Sequence, residues 1–73
     1  MRELFNEIPF PGNGVQAVSA EVGTGDVRVQ WKKLDGTFVT HSTYAIDSLF
    51  EIPGHAGLTY RVVLTGTARA AIY

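Results

Sequence analysis

The 73-residue sequence contains no cysteine. Disulfide bonds are therefore excluded, and no Cys/His set is present at the spacing of a structural zinc site. A domain of this size buries only about 60% of the surface of its unfolded chain, so its margin of stability is small. Small chains without either kind of cross-link commonly gain stability by packing against copies of themselves or against a larger partner. The absence of cysteine thus favours a protein that associates.

Charge of either sign is also scarce. Six basic and seven acidic residues give a net charge of −1, without a basic block or an acidic tail. Nucleic-acid-binding proteins neutralise phosphates with clustered lysine and arginine, so we expect no nucleic-acid partner. Long apolar runs are absent as well. Residues 1–14 lack the apolar core and cleavage site of a signal peptide, and no run approaches membrane-spanning length. We expect neither a membrane partner nor export.

Helical periodicity is missing too, whereas alternation with a period of two recurs along the chain. The alternation is clearest in residues 27–44, VRVQWKKLDGTFVTHSTY. Val27, Val29 and Trp31 alternate with polar neighbours, which predicts a strand over residues 27–32 with one buried face. Asp35-Gly36 is typical of a tight primed turn, and the alternation resumes over residues 38–44. This stretch predicts a central β-hairpin.

Glycine and proline divide the rest of the chain into further short strands. Pro9 and Pro11 limit the hydrogen bonding of residues 1–11, which we predict to form an edge strand or an arm that docks on a neighbour. Residues 15–22 alternate so that Val18, Ala20 and Val22 share the predicted core face. Further strands are predicted at residues 49–52, 58–65 and 68–73. With six to seven short strands, the sequence predicts one all-β domain over residues 1–73, a small antiparallel β-sandwich or barrel.

Residues that commonly carry catalysis or bind metals are dispersed. His41 and His55 are the only histidines, and neither has a carboxylate or second histidine at ligand spacing. A triad that combines a histidine with Asp47 and Ser42 or Ser48 stays open, because triads are defined in space. No nucleophile elbow is present, however. We therefore predict no enzyme, with no catalytic residue, no cofactor and no metal.

The aromatic residues have two interpretations. Trp31 and Tyr60 fit the core of a sandwich, with their polar groups hydrogen bonded at its rim. The same residue types form sugar-binding platforms when they are exposed. Arg28, Gln30 and Lys32 share the opposite strand face, which we interpret as a solvated face because no aromatic residues are interleaved with them.

Parts of the sequence resemble known families. VRVQW is similar to the third strand of immunoglobulin or fibronectin type III sandwiches, and GLTYRVVLTG to the sixth. The whole chain resembles the very small all-β virion proteins of tailed bacteriophages. It shares a strand pair, a W…DGT…F hairpin, a short strand that ends in Pro-Gly, and a final YRVVLTG followed by an Ala-rich strand. In this chain the motifs comprise Trp31, Asp35-Gly36-Thr37, Phe38, Pro53-Gly54 and residues 60–66.

The phage resemblance implies a structural role in capsid decoration or cementing. Such proteins sit as oligomers, often trimers, over junctions of the shell. It implies binding to the major capsid protein and to itself on the virion surface, after synthesis in the host cytoplasm. The apolar residues near the termini are the predicted partner contacts: Leu4, Phe5, Ile8, Phe10 and Tyr73. The alternative is a carbohydrate-binding or adhesion module of a tail or head fibre that uses Trp31, Tyr44 or Tyr60 as a stacking platform.

Overall fold

A computed structural model describes residues 1–73. The chain contains no helix and folds into eight β-strands, one more than the upper limit of six to seven predicted from the sequence. The strands are β1 (Arg2–Leu4), β2 (Phe10–Pro11), β3 (Gln16–Glu21), β4 (Val27–Lys32), β5 (Phe38–Tyr44), β6 (Ser48–Ile52), β7 (Thr59–Leu64) and β8 (Arg69–Ile72). The all-β prediction is confirmed.

The strands form two antiparallel sheets of four strands each. The A sheet has the order β1-β8-β3-β6, and the B sheet has the order β2-β7-β4-β5. Strands β4 and β7 pair directly, as the two strands that they resemble do in immunoglobulin sandwiches. In those sandwiches the last strand joins the same sheet, whereas here β8 joins the A sheet beside β3 and β1.

The additional strand comes from the N-terminal segment, which contributes to both sheets. β1 pairs with β8 and β2 pairs with β7, so the chain crosses between the sheets at residues 5–9. The crossing is attached to β7: the Glu7 N–H donates to the Val62 oxygen at 2.9 Å, and the Leu64 N–H donates to Asn6 Oδ1 at 2.8 Å. Residues 1–11 therefore form edge strands of two sheets rather than a detached arm.

The core lies between the sheets and consists of the alternate residues that point inward. It contains 13 buried side chains, with β3 contributing Val18 and Ala20 and β4 contributing Val27 and Val29. The predicted inward faces of residues 15–22 and 27–32 are thus confirmed. Trp31 is only partly buried and packs against the edge of this core.

The central hairpin turns through a longer loop than the sequence predicted. A two-residue type I′ turn needs positive φ at both central residues. Here only Gly36 has it, with φ 89°. The Gly36 N–H donates to the Lys33 oxygen at 3.0 Å, and the Lys33 N–H donates to the Thr37 oxygen at 2.7 Å. Residues 34–36 therefore form a three-residue loop in which glycine takes the left-handed position.

A β-bulge interrupts the predicted alternation of β5. Val29 is opposite Ser42 and Gln30 is opposite Thr40, so His41 has no counterpart on β4. An extra residue reverses the faces of the side chains that follow it. Thr40 consequently lies on the outer face of the B sheet, whereas Ser42 points inward.

Close backbone approaches hold the turns at both ends of the sandwich. The Gly14 N–H donates to the Gly54 oxygen at 2.8 Å. A Cβ atom at Gly54 would overlap the Gly14 oxygen, and the φ of Gly54 is 56°. At the other end, a Cβ atom at Gly25 would overlap the Thr65 oxygen. These glycines allow close contact between turns that each connect one sheet to the other.

Candidate interaction surfaces

The predicted contact residues divide into buried and exposed sets. Leu4 and Phe10 are only 5% and 6% exposed and belong to the chain's own core. The Phe10 ring also stacks on Tyr60, with centroids 6.1 Å apart. These two side chains hold the N-terminal segment in place, so in the folded chain they are not available to a partner. The exposed candidates are Phe5, Ile8 and Tyr73.

Phe5 and Ile8 form an exposed apolar pair, which we call the N-terminal corner. Their side chains are 61% and 60% exposed, and the Ile8 N–H donates to the Phe5 oxygen at 3.2 Å. Between them, Glu7 lies 3.4 Å from the Arg61 guanidinium and has a positive φ of 59°. Such a backbone conformation persists for glutamate when its surroundings fix it. The corner is therefore an apolar pair on a fixed turn.

Tyr73 lies away from this corner. The register pairs Arg2 with Ile72 and Leu4 with Ala70, so Tyr73 sits beside the start of β1 while Phe5 follows its end. The Tyr73 N–H donates to the Ala17 oxygen at 2.9 Å, which ties the last residue to β3. The three exposed candidates hence do not form one continuous patch.

The outer face of the A sheet carries small side chains at its centre, the exposed Leu49 on β6 and one ion pair. Ser19 and Ala71 are opposite each other in its centre. Beside them, Arg69 Nε and Nη2 donate to the two carboxylate oxygens of Glu3, each at 3.0 Å. These hydrogen bonds and the positive charge of Arg69 lower the pKa of Glu3. The same hydrogen bonds and the negative charge of Glu3 raise the pKa of Arg69. The pair joins β1 to β8 on the solvent side.

A polar network covers the outer face of the B sheet. Arg61 Nε donates to Gln30 Oε1 at 2.7 Å, and Gln30 Nε2 donates to Thr40 Oγ1 at 3.1 Å. The Arg61 guanidinium lies 4.1 Å from the centroid of the Phe38 ring. Nucleic-acid-binding sheets present free rings for base stacking. Here arginine covers Phe38, and the polar side chains hydrogen bond to one another.

The candidate triad residues do not assemble. His41 Nδ1 is 3.3 Å from Ser42 Oγ, but Asp47 Oδ1 accepts a hydrogen bond from the Val22 N–H at 2.9 Å. Ser48 donates to a backbone oxygen at 2.8 Å. No group of three or more histidine, cysteine, aspartate or glutamate side chains is positioned to hold a metal ion.

The three aromatic side chains of the carbohydrate-binding alternative pack in the core or against it. Tyr60 is 2% exposed, and its hydroxyl accepts a hydrogen bond from the His55 N–H at 3.0 Å. Tyr44 stacks on Phe50 with centroids 3.8 Å apart, and Trp31 packs against the core. A stacking platform requires exposed ring faces, which these residues do not offer together.

Sequence reasoning missed the side of the sandwich where β5 and β6 are the edge strands, which we call the open side. No strand pairs with the outer edge of either one. β5 is seven residues long, and its sequence FVTHSTY contains no proline, aspartate, glutamate, lysine or arginine. Natural edge strands usually carry such residues because they prevent pairing with other chains. The absence of proline and of these charged residues from residues 38–44 is the sequence feature that indicates an unprotected edge strand.

Comparison with known proteins reveals no relative. No family model, curated protein or solved structure matches the chain. The chain also contains no helix long and apolar enough to cross a membrane. Its function must therefore be argued from the surfaces described above.

Proposed function

We propose that the chain is a structural virion protein of a tailed phage that decorates or cements the capsid by binding the major capsid protein and itself. The order of the Trp31 hairpin, the Pro53-Gly54 turn and the YRVVLTG strand supports this proposal through its resemblance to small phage virion proteins. The observation that carries it is the N-terminal corner, where Phe5 and Ile8 are exposed on a fixed turn.

The corner has the physical properties of a contact that binds without rearrangement. Burying a phenylalanine or isoleucine side chain completely contributes about 1.5–3 kcal/mol. Because Asn6 and Glu7 hydrogen bond the turn to β7, little backbone freedom remains to be lost on binding. A protein that bridges shell subunits adds buried interface that must be broken before the subunits separate.

The proposal predicts that the chain is a stoichiometric component of the particle. Particles purified from the phage that encodes the chain should contain it in a fixed ratio to the major capsid protein, measured by quantitative mass spectrometry. Extensive washing should not change this ratio. Absence of the chain from purified particles, or trace amounts that vary between preparations, would contradict the proposal.

The role of the corner is tested by adding the protein back to particles that lack it. We expect the double variant Phe5→Ser, Ile8→Ser to lose most of its binding to these particles in a co-sedimentation assay. Leu34→Ser is the matched control, because Leu34 is a fully exposed apolar side chain at the hairpin tip. Equal binding by the two variants would remove the corner from the capsid contact.

A further inference from the structure

The outer edge of β5 presents backbone groups that no strand of this chain satisfies. The hydrogen bond between Lys33 and Thr37 closes the hairpin, and Trp31 pairs with Val39 two residues along. Hydrogen-bonded and non-hydrogen-bonded pairs alternate in an antiparallel ladder. The N–H and C=O groups of Phe38 and Thr40 are therefore directed away from β4, where they form a template for pairing with a further extended strand.

The other three edges are shorter or carry features that discourage pairing. β1 has three residues and includes Arg2 and Glu3, and β2 has two residues and ends in Pro11. β6 has five residues and includes Glu51. β5 has seven residues and contains no aspartate, glutamate, lysine or arginine. Its bulge at His41 interrupts regular pairing further along the strand, whereas residues 38–40 pair regularly with β4 and offer the edge best suited to strand addition.

A second copy of β5 matches this edge in charge and symmetry. Because β5 contains no aspartate, glutamate, lysine or arginine, two identical strands meet without opposing like charges from these residues. Antiparallel pairing about a two-fold axis satisfies the same backbone groups on both chains at once. Val39 points inward but is 37% exposed, since nothing lies beyond β5 to cover it. A neighbouring strand would cover this side chain.

We infer that β5 pairs antiparallel with β5 of a second copy of this chain, joining two B sheets of four strands into one continuous sheet. The inference deepens the self-association part of the proposed function, and it does not involve the capsid contact. An extended segment of a different protein would use the same backbone groups, which the test below distinguishes from self-pairing.

The test places charge within the proposed pairing. Because Phe38 and Thr40 both offer free backbone groups, Phe38 of one chain lies opposite Thr40 of the other, and the two Thr40 side chains are diagonal neighbours on the outer face. Thr40 is exposed on the outer face, and its side chain makes one hydrogen bond, to Gln30, so Thr40→Lys and Thr40→Glu leave the β4 ladder intact. By light scattering over a concentration series, the unmodified protein should reach twice the chain mass of 7.9 kDa. Each variant alone should remain at the chain mass. An equimolar mixture of the two variants should recover the doubled mass, because lysine then lies diagonally across from glutamate.

Val15→Lys and Val15→Glu provide matched controls, because Val15 is exposed just before β3, a strand of the A sheet that does not pair with β5. Both controls should keep the doubled mass, and circular dichroism should show that all variants are folded. A monomeric unmodified protein at every concentration would overturn the inference, and so would doubled mass in each Thr40 variant alone. These measurements need no particles, so their failure would leave the capsid proposal standing, and loss of capsid binding would leave the pairing standing.

Discussion

The two sides of the sandwich differ in what lies beyond their edge strands. On the side of β1 and β2, which we call the closed side, the edges are three and two residues long, and residues 5–9 pass across them from one sheet to the other. On the open side the edges are seven and five residues long, and residues 45–47 link the end of β5 to the start of β6. The N-terminal crossing hydrogen bonds to β7, whereas no strand pairs with the outer edges of β5 and β6.

The difference separates the part of the fold that stabilises the chain from the edge that we propose to associate. On the closed side, Leu4 and Phe10 place buried apolar surface beneath the crossing. On the open side the two sheets are joined by the stacked rings of Tyr44 and Phe50. We therefore expect the free energy of unfolding to depend strongly on the closed side and more weakly on the open side.

The largest effect should come from Leu4. Replacing a buried leucine by alanine loses transfer free energy and leaves a cavity, which typically costs about 2–5 kcal/mol. We expect Leu4→Ala to lower the free energy of unfolding by this amount in urea titrations followed by Trp31 fluorescence. Phe5→Ala is the neighbouring control and should change it by less than about 0.5 kcal/mol, since Phe5 is exposed. Similar effects at the two positions would contradict the fixed crossing.

The open side should show a smaller, specific coupling. Stacked aromatic pairs contribute about 0.5–1.5 kcal/mol beyond the area they bury. A double-mutant cycle with Tyr44→Leu and Phe50→Leu should therefore give a coupling energy in this range. The urea titrations should be performed in the Thr40→Lys background, which keeps the proposed pairing from contributing. If the changes in the free energy of unfolding caused by the two single substitutions are additive, the stacked rings do not join the sheets.

The smallest effect concerns pH and the outer surface of the closed side. Hydrogen bonds from Arg69 hold the pKa of Glu3 below its ordinary value of 4.5. The unfolded chain then binds the proton more tightly, so the stabilisation is fully present above pH 4.5 and is lost as pH falls through the lowered value. Glu3→Gln should accordingly reduce the pH dependence of unfolding below pH 4.5.

Asp35 provides a local comparison for this titration. The hydroxyl and N–H of Thr37 lower the pKa of Asp35 from its ordinary value of 3.8. The stabilisation from Asp35 is fully present above pH 3.8 and should also be lost as pH falls through its lowered pKa. Asp35→Asn should also reduce the pH dependence of the free energy of unfolding, because it removes a contact between Asp35 and Thr37 within one turn. If Glu3→Gln leaves the pH dependence of the free energy of unfolding unchanged, the ion pair between Glu3 and Arg69 is absent in solution.

Alternation in the sequence was sufficient to predict the class of fold and most of the core. Val27 and Val29 alternate with polar residues and are buried, because local pattern and tertiary burial agree in an antiparallel sheet. The bulge at His41 was not predictable in this way, since the alternation of residues 38–44 continues unbroken in the sequence. A bulge depends on pairing with β4, which the sequence of one strand does not specify.

The surfaces were less predictable than the core. Leu4 and Phe5 are adjacent apolar residues, and only the pairing of β1 with β8, more than 60 residues away, decides which one is buried. The open side could not be predicted without the order of strands within each sheet, because an edge strand is one that lacks a neighbouring strand on one side. The composition predicts association, but it does not indicate which strand is available for pairing.

Hydrogen exchange of backbone amides, measured residue by residue by NMR in dilute and concentrated samples, tests the contrast between the two sides most directly. The amides of Glu7 and Leu64 donate within the chain, so their protection should not depend on concentration. The amides of Phe38 and Thr40 should exchange freely when dilute and become protected when concentrated. Protection of all four amides that is independent of concentration would contradict the account.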